Sequence, residues 1–267
     1  MTFMDLEDPR YAYMFGFLQA DGHLSAGTRQ RGRLSVELSY RDIDILHAFQ
    51  ELCPYNSSIR ERTRATNFSE SHRSATWTVH SLEARNRLVE LGLPYGRKSA
   101  SIAPPRVPFS RRDYLRGIID ADGSVGHTAQ GLPFVGLTTA STAIATYLCR
   151  YTRLALGIPR LPGRNARDHV YNVMYMRESG VSLADHLYYP GSLALERKRS
   201  AAAEVSHWTR PSHMGPPRQR RSWTQLEDRI LLNASSIAEA AEQLGRSEQS
   251  CNLRRWRLRK KTQGQTH

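Results

Sequence analysis

Two short stretches, Met14-Phe-Gly-Phe-Leu-Gln-Ala-Asp-Gly22 and Leu115-Arg-Gly-Ile-Ile-Asp-Ala-Asp-Gly123, repeat one pattern. Each contains a Gly-x-x-x-Ala-Asp-Gly core, and Gly16 and Gly117 stand 101 residues apart. The four-residue spacing puts Gly16 with Ala20, and Gly117 with Ala121, on one helix face. Small residues there let two helix backbones approach closely, leaving Phe17, Leu18, Ile118 and Ile119 to pack against sheets. Each helix ends in one carboxylate, Asp21 or Asp122. Side by side, the two acids repel each other and meet the unfavourable end of both helix dipoles. A divalent cation relieves both penalties, and a hard oxygen site suits Mg²⁺ better than zinc. Metal ions bridging a phosphodiester activate water and stabilise the leaving oxygen. In a chain of formal charge +13, the pair suggests metal-dependent chemistry on nucleic acid. A lone Ala-Asp-Gly is an ordinary helix end, so the functional reading rests on the pair. Asp120 has Gln19 as its counterpart, so symmetric chemistry cannot require an acid there; a structural or surface-facing role is expected.

The 267 residues allow two domains and a small third, and 39% apolar content supports real cores. Charge alone does not separate DNA, RNA and anionic membrane. No apolar run approaches the roughly 18 residues of a membrane span, and the acidic start MTFMDLEDPR is unlike a signal peptide. Cys53, Cys149 and Cys251 lack metal-site spacing and read as reduced packing residues. The expected location is the cytoplasm, or an organelle interior, in association with DNA.

The elements needed to position the two acids recur in both halves. The first has a motif helix over 11–21, a strand over 33–40, a helix over 42–51, strands over 57–64 and 74–79, and a helix over 81–91 capped by Ser81. In the second, Ser110 caps a helix ending at Asp122. A strand over 133–139, a helix over 142–156, strands near Leu161 and over 170–175, and a short helix through Leu183 follow. The fold class is α+β: two pseudo-symmetric αββαββα subdomains, 1–106 and 107–208, packed through their motif helices. Residues 209–221 form a basic Pro/Gly-rich linker containing Arg220 and Arg221. Residues 222–261 form a small all-α helix-turn-helix domain. Its signals are possible capping boxes at Thr224-x-x-Glu227 and Ser236-x-x-Glu239, a stop at Gly245, and a third helix holding Cys251, Leu253, Trp256 and Leu258. Arg254, Arg255, Arg257 and Arg259 on that helix are candidate DNA contacts.

On these motifs the chain resembles a single-chain, two-motif LAGLIDADG homing endonuclease over roughly residues 8–205. The match includes Gly16, Ala20, Asp21 and Gly22, and runs from Ile119 through Asp120, Ala121, Asp122 and Gly123; Met14, Phe15, Phe17 and Gln19 depart from it. The resemblance implies that the motif helices form the subdomain interface. It also implies that Asp21 and Asp122 bind metal, with the backbone carbonyls of Ala20 and Ala121 nearby. It places one basic residue from each half near the cleavage centre. Leu91-Gly-Leu-Pro-Tyr-Gly-Arg-Lys-Ser99 and Leu195-Glu-Arg-Lys-Arg-Ser200 offer Lys98 and Lys198, with Arg97 and Arg197 as neighbouring alternatives; the competing reading is phosphate contact by solvated lysines. The sheets are implied to read DNA. Glu37, Ser39, Arg41, Arg60, Arg62 and Arg64 are candidates in the first half, and Gly136, Thr138, Arg164, Asn172 and Tyr175 in the second, subject to strand register. Arg29, Arg31 and Arg33 are candidate phosphate contacts. The tail resembles a Myb/SANT-like module, which would make Trp223 and Trp256 core residues.

The resulting expectation is a monomer that hydrolyses both strands of a long, asymmetric double-stranded DNA target and leaves short 3′ overhangs. Mg²⁺ is the expected cofactor, with Mn²⁺ substituting and Ca²⁺ binding without efficient cleavage. The alternatives are a non-cleaving DNA-binding regulator and an intron RNA maturase. An intein context is not expected from the chain's terminal residues.

Overall fold

The two motif helices pack on each other, and each is enclosed over most of its length. The computed structural model describes residues 2–66, 69–215 and 223–263. The chain divides into two compact units, Met1–Pro211 and Ser212–His267.

The larger unit opens with α1 (Pro9–Ala20), where Asp8 accepts from the Arg10 amide and Pro9 occupies the first turn. Residues 11–19 are all buried; a helix so enclosed has no solvent side to make polar. There follow β1 (His23–Leu24), β2 (Leu34–Ser39), a 3-10 turn (Tyr40–Asp42), α2 (Ile43–Leu52), β3 (Ser57–Thr66), β4 (Ser69–Val79) and α3 (Leu82–Glu90). Ser81 caps α3 by accepting from the Ala84 amide. The strands form an antiparallel sheet in the order β1-β2-β4-β3. Val36, Trp77 and Ile59 lie in register on its core face, and Glu37, Thr76 and Arg60 on the other.

The second half comprises α4 (Arg111–Asp122), β5 (Gly123–His127), β6 (Pro133–Thr139), α5 (Thr142–Leu156), β7 (Tyr171–Met176), α6 (Glu178–Leu187) and α7 (Glu196–Ser206). Its described strands form a three-stranded antiparallel sheet, β5-β6-β7. The first half thus follows αββαββα, while the second departs from it. The strand expected near Leu161 is reduced to a single bridge between Arg164 and Tyr171. Pro159 and Pro162 cannot donate to a ladder, and Gly163 weakens a strand further. The extra helix α7 is a second departure from the expected order, and it carries Lys198.

Helices α1 and α4 pack directly on each other. A Cβ on Gly16 would lie 2.2 Å from the carbonyl oxygen of Tyr114, and one on Gly117 would lie 2.1 Å from that of Tyr13. Since 13 and 114, like 16 and 117, differ by 101, the contact obeys the internal two-fold of the sequence. One continuous core surrounds it, from Leu34, Phe49 and Trp77 to Leu137, Leu148 and Val173. Cys53, Cys149 and Cys251 are free and buried.

The smaller unit contains α8 (Gln225–Asn233), α9 (Ile237–Leu244) and α10 (Glu248–Gln263). Thr224 and Glu227 form a reciprocal capping box. Ser236 accepts from the Glu239 amide, but Glu239 turns back to Ser235 rather than Ser236. Gly245 ends α9 in the left-handed region at φ 57°. Leu231, Ala240, Leu244 and Cys251 make the core, with Trp223 packed against it. Trp256 and Leu253 instead face outward, each about half exposed, because Cys251 and Leu258 direct the opposite side of α10 inward. The core role expected for Trp256 is therefore corrected.

Candidate active site between the motif helices

Asp21 follows α1 directly, and Asp122 is the last residue of α4. The packing at Gly16 and Gly117 brings the two carboxylates close enough for Asp21 to raise the pKa of Asp122. Both side chains reach solvent, and neither accepts a hydrogen bond from a described residue. Burial against the helix ends raises Asp21, opposed by Lys98, Lys198 and Arg197. Burial first, and Asp21 second, push Asp122 up to about 6.

Two buried lysines complete the group. Lys98 Nζ donates to the carbonyl of Gln19 at 2.8 Å and to that of Ala20. Lys198 Nζ donates to the carbonyls of Ile119, Asp120 and Gly123, each at 2.7 Å. Each ammonium thus binds the carbonyl end of its own half's motif helix, where the dipole favours a cation. These are enclosed lysines, not solvated phosphate contacts. Burial lowers both pKa values, Lys98 against the opposing effect of Asp122 and Asp21, and Lys198 to about 8. The alternatives separate cleanly. Arg97 is exposed, and Arg197 reaches across the halves to Asp42 at 3.1 Å. The carbonyl of Ala20 is engaged by Lys98, whereas Lys198 passes by that of Ala121.

Behind the lysines, Gln19 and Asp120 are fully enclosed, so the surface alternative for Asp120 does not hold. Tyr13 donates to Asp120 at 2.7 Å across the interface, and Tyr114 donates to Gln19 at 2.5 Å. Gln19 also donates to the carbonyls of Gly92 and Ala103. Asp120 accepts from Tyr188 and from the Leu195 amide. Both residues therefore fix the segment that delivers their half's lysine. Replacing Asp120 with alanine leaves three donors unmatched. Urea titration should show a loss of about 2–3 kcal/mol, with asparagine, which keeps one acceptor, losing less.

Beside Asp21, the first sheet forms a concave groove of about 800 Å³ lined by Asp21, Arg33, Glu37, Arg60 and Arg62. His23, Ser35, Thr76, Thr78 and His80 also line it. Sequence reading missed these, although the alternation Ala75-Thr76-Trp77-Thr78-Val79 places both threonines opposite the core face. Arg64 shares the face of Arg60 and Arg62 and lies 3.5 Å from Glu37. Ser39 continues the β2 row, and Arg41 is exposed in the following turn. Arg29, Arg31 and Arg33 belong to one exposed loop anchored from below by buried Arg85, which donates to the carbonyls of Gly27 and Arg29. Arg85→Ala is expected to loosen that loop, seen as at least about tenfold faster trypsin cleavage after Arg29 or Arg31.

On the second sheet, Thr138 and Asn172 face outward and share a 2.7 Å hydrogen bond. Arg164 is exposed beside β7 and donates to the His169 carbonyl. Tyr175 does not face outward. It is buried on the core side, and its hydroxyl pairs with Thr152 at 2.8 Å, because strand alternation puts Asn172 and Met174 on the open face and Val173 and Tyr175 beneath.

In the smaller unit Arg254 is paired with Asp228 at 2.6 Å, and Arg255 leans toward the Ala234 carbonyl. Arg257 and Arg259 are exposed. Arg220 and Arg221 lie outside the described residues.

No group of three or more His, Cys, Asp or Glu is placed to hold a metal among the described residues. A cation here would have Asp21 and Asp122 as its protein carboxylates. The pair fits a hard divalent ion in being oxygen-only, mutually repelling and without hydrogen-bond donors. No helix among the described residues is long and apolar enough to cross a membrane.

The LAGLIDADG-like domain family matches residues 110–185, which contain α4 and the second sheet. No curated protein matches the chain in sequence. Among solved structures, the chain is similar to meganuclease I-SmaMI bound to uncleaveable DNA with a TTGT central four. Identity is 12% and the TM-score 0.51, covering 74% of this chain and 87% of that one. It is also similar to the homing endonuclease I-WcaI bound to its DNA recognition sequence, at 11% identity and TM-score 0.50 over 74% of this chain and 87% of that one. Mesophilic variants of the homing endonuclease I-DmoI match at 12% identity and TM-score 0.50, over 73% of this chain and 97% of theirs. At these identities the likeness establishes the fold, that of the LAGLIDADG homing endonucleases.

Proposed function

We propose that the chain is a site-specific endonuclease that hydrolyses both strands of a long, asymmetric duplex DNA target. The observation that carries this reading is the pair of carboxylates without hydrogen-bond donors, held side by side at the ends of α1 and α4. The relatives described as bound to DNA support it, as does the charge of +13. Asp21 and Asp122 would hold Mg²⁺, which when bound supplies a polarised water and charge neutralisation at the phosphate. Mn²⁺ would substitute, and Ca²⁺ would bind without efficient cleavage. Lys98 and Lys198 hold positive charge against the helix ends beside the acids, where it stabilises the charge developing on the phosphoryl oxygens; Lys198 gives all three N–H groups to carbonyls, while Lys98 keeps one for orienting water. Near pH 7 Asp122, lifted to about 6, is mostly ionised and Lys198, lowered to about 8, mostly protonated.

Each half, 1–106 and 107–208, would bind one half-site, so one chain suffices and the product carries short 3′ overhangs. The smaller unit would extend the footprint through the exposed side of α10 and raise the effective affinity. The test is cleavage of a randomised duplex library at low salt with Mg²⁺, beside an Asp21→Asn, Asp122→Asn double variant. One sequence cut by the native chain and spared by the variant is the expected result. Specific retention of DNA without cutting under any divalent ion would replace this reading with that of a regulator.

A further inference from the structure

The open faces of the two sheets differ in chemistry. Strands β2, β3 and β4 carry Glu37, Arg60, Arg62 and Arg64 outward, whereas β5, β6 and β7 contain no Asp, Glu, Lys or Arg at all. Their outward positions include Phe134, Gly136, Met174 and Met176, in a register that sets Gly136 opposite Met174 and Phe134 opposite Met176. Met174 and Met176 are each more than a third exposed, which is unusual for apolar side chains on the open face of a sheet.

Gly136 lies beneath this face: it is buried, and a methyl bonded to it would meet Met174 Cε and Phe134 Cδ2 at 3.9 Å each without displacing them. The atoms that a ligand meets there are those of Phe134 and Met174, with Met176 opposite Phe134.

We infer that the second sheet reads its half-site through thymine C5-methyl groups, which pack against the exposed Met174 and Met176 and against Phe134. The first sheet reads guanine-containing steps through Arg60 and Arg62. In the major groove thymine alone presents a methyl group, and guanine O6 and N7 are the usual acceptors for arginine. Arg60 and Arg62 have no ion-pair partner among the described residues, so both remain available. This inference rests on the duplex-DNA reading above and adds to it an asymmetry of base chemistry between the two arms of the target.

The test is selection by the full chain from a randomised duplex library, prepared once with thymine and once with uracil, which lacks only the methyl group. Recovered thymine-library sites should show one thymine-rich arm and one guanine-bearing arm. Replacing thymine by uracil should weaken binding about fourfold for each methyl group that the sheet no longer covers, in the first of these arms only. Met174→Ala with Met176→Ala removes the apolar contact surface, so this double variant should erase the thymine preference while leaving the guanine arm intact. Arg60→Ala with Arg62→Ala should do the converse. Far-UV circular dichroism on each variant separates altered preference from lost folding. Specific retention with uracil tolerated in both arms, or with the methionine double variant altering the guanine arm, overturns the inference and leaves the DNA reading standing. Retention of no sequence at all overturns both.

Discussion

Asp122→Asn is expected to reduce double-strand cleavage at least about a thousandfold, some 4 kcal/mol of barrier, while raising thermal stability in metal-free buffer. Opposite signs in the two readouts are what distinguish a chemical role from a folding defect. Burial and the neighbouring Asp21 lift the Asp122 carboxyl from 3.8 to about 6, so the folded protein disfavours its ionised form. Below about pH 3 the acid is protonated in both folded and unfolded chains and no penalty exists. The penalty grows as pH rises through the interval and is complete above about 6. Asparagine removes it. Because the carboxylate reaches solvent, screening limits the gain to about 1 kcal/mol, or roughly 2–4 °C in Tm. The Tm difference between variant and native chain should vanish near pH 3 and be fully open at pH 7. A lower Tm at pH 7 would mean that the acid supports the fold, and its loss of cleavage would then say nothing about chemistry.

Gly117→Ala and Gly16→Ala carry the largest expected cost in stability. The new methyl would meet backbone carbonyl oxygens at 2.1 and 2.2 Å, and no side-chain rotation relieves a clash with backbone. The helices must separate along most of their length, disturbing a core shared by both halves. Each substitution should cost at least about 3 kcal/mol, measured as a fall in the urea midpoint. Gly136→Ala, whose nearest neighbour is 3.9 Å away, should stay within about 0.5 kcal/mol. Any fraction of Gly117→Ala that remains folded should cleave poorly, since a misplacement of about 1 Å at a reacting centre can cost some hundredfold. Equal midpoints for Gly117→Ala and Gly136→Ala would show that the interface is looser than these distances require.

The motif helices were legible because they combine two independent signals, small residues at a spacing of four and an acid at the end, and because the pattern occurs twice. Strands with one wet and one dry face were legible too, as in Leu34–Ser39, where alternation is nearly complete. What failed has physical causes. β1 has two residues and β5 two glycines in five, too little side chain for a period. The segment after Ile158 reads as apolar enough for a strand, but its prolines withhold ladder donors. Helix α7 begins Glu-Arg-Lys-Arg and has weak amphipathicity, so its charged residues masked the face that buries Lys198 and Val205. Tyr175 looked like an outward reader because residue type does not reveal register; its neighbours Val173 and Tyr171, both buried, give the parity. The anchoring roles of Gln19, Arg85 and Asp120 depend on partners 56 to 107 residues away, and no local pattern encodes such distances.

The paired crossings at the interface, Tyr13 to Asp120 and Tyr114 to Gln19, bear on how the protein can be divided. A chain severed between α3 and α4 would yield two fragments, each with a motif helix stripped of its cover and each short of one hydroxyl donor and one acceptor. Separately, such fragments have nothing to enclose that helix and should precipitate. Co-expressed, they meet a surface keyed by two glycine–carbonyl contacts and two hydroxyl–acceptor contacts, with Arg197 and Asp42 as a further latch. The same keys allow either half to be exchanged for a redesigned one that keeps Tyr, Gly and Gln or Asp at those positions, which makes the interface a joint for modular assembly as well as a core.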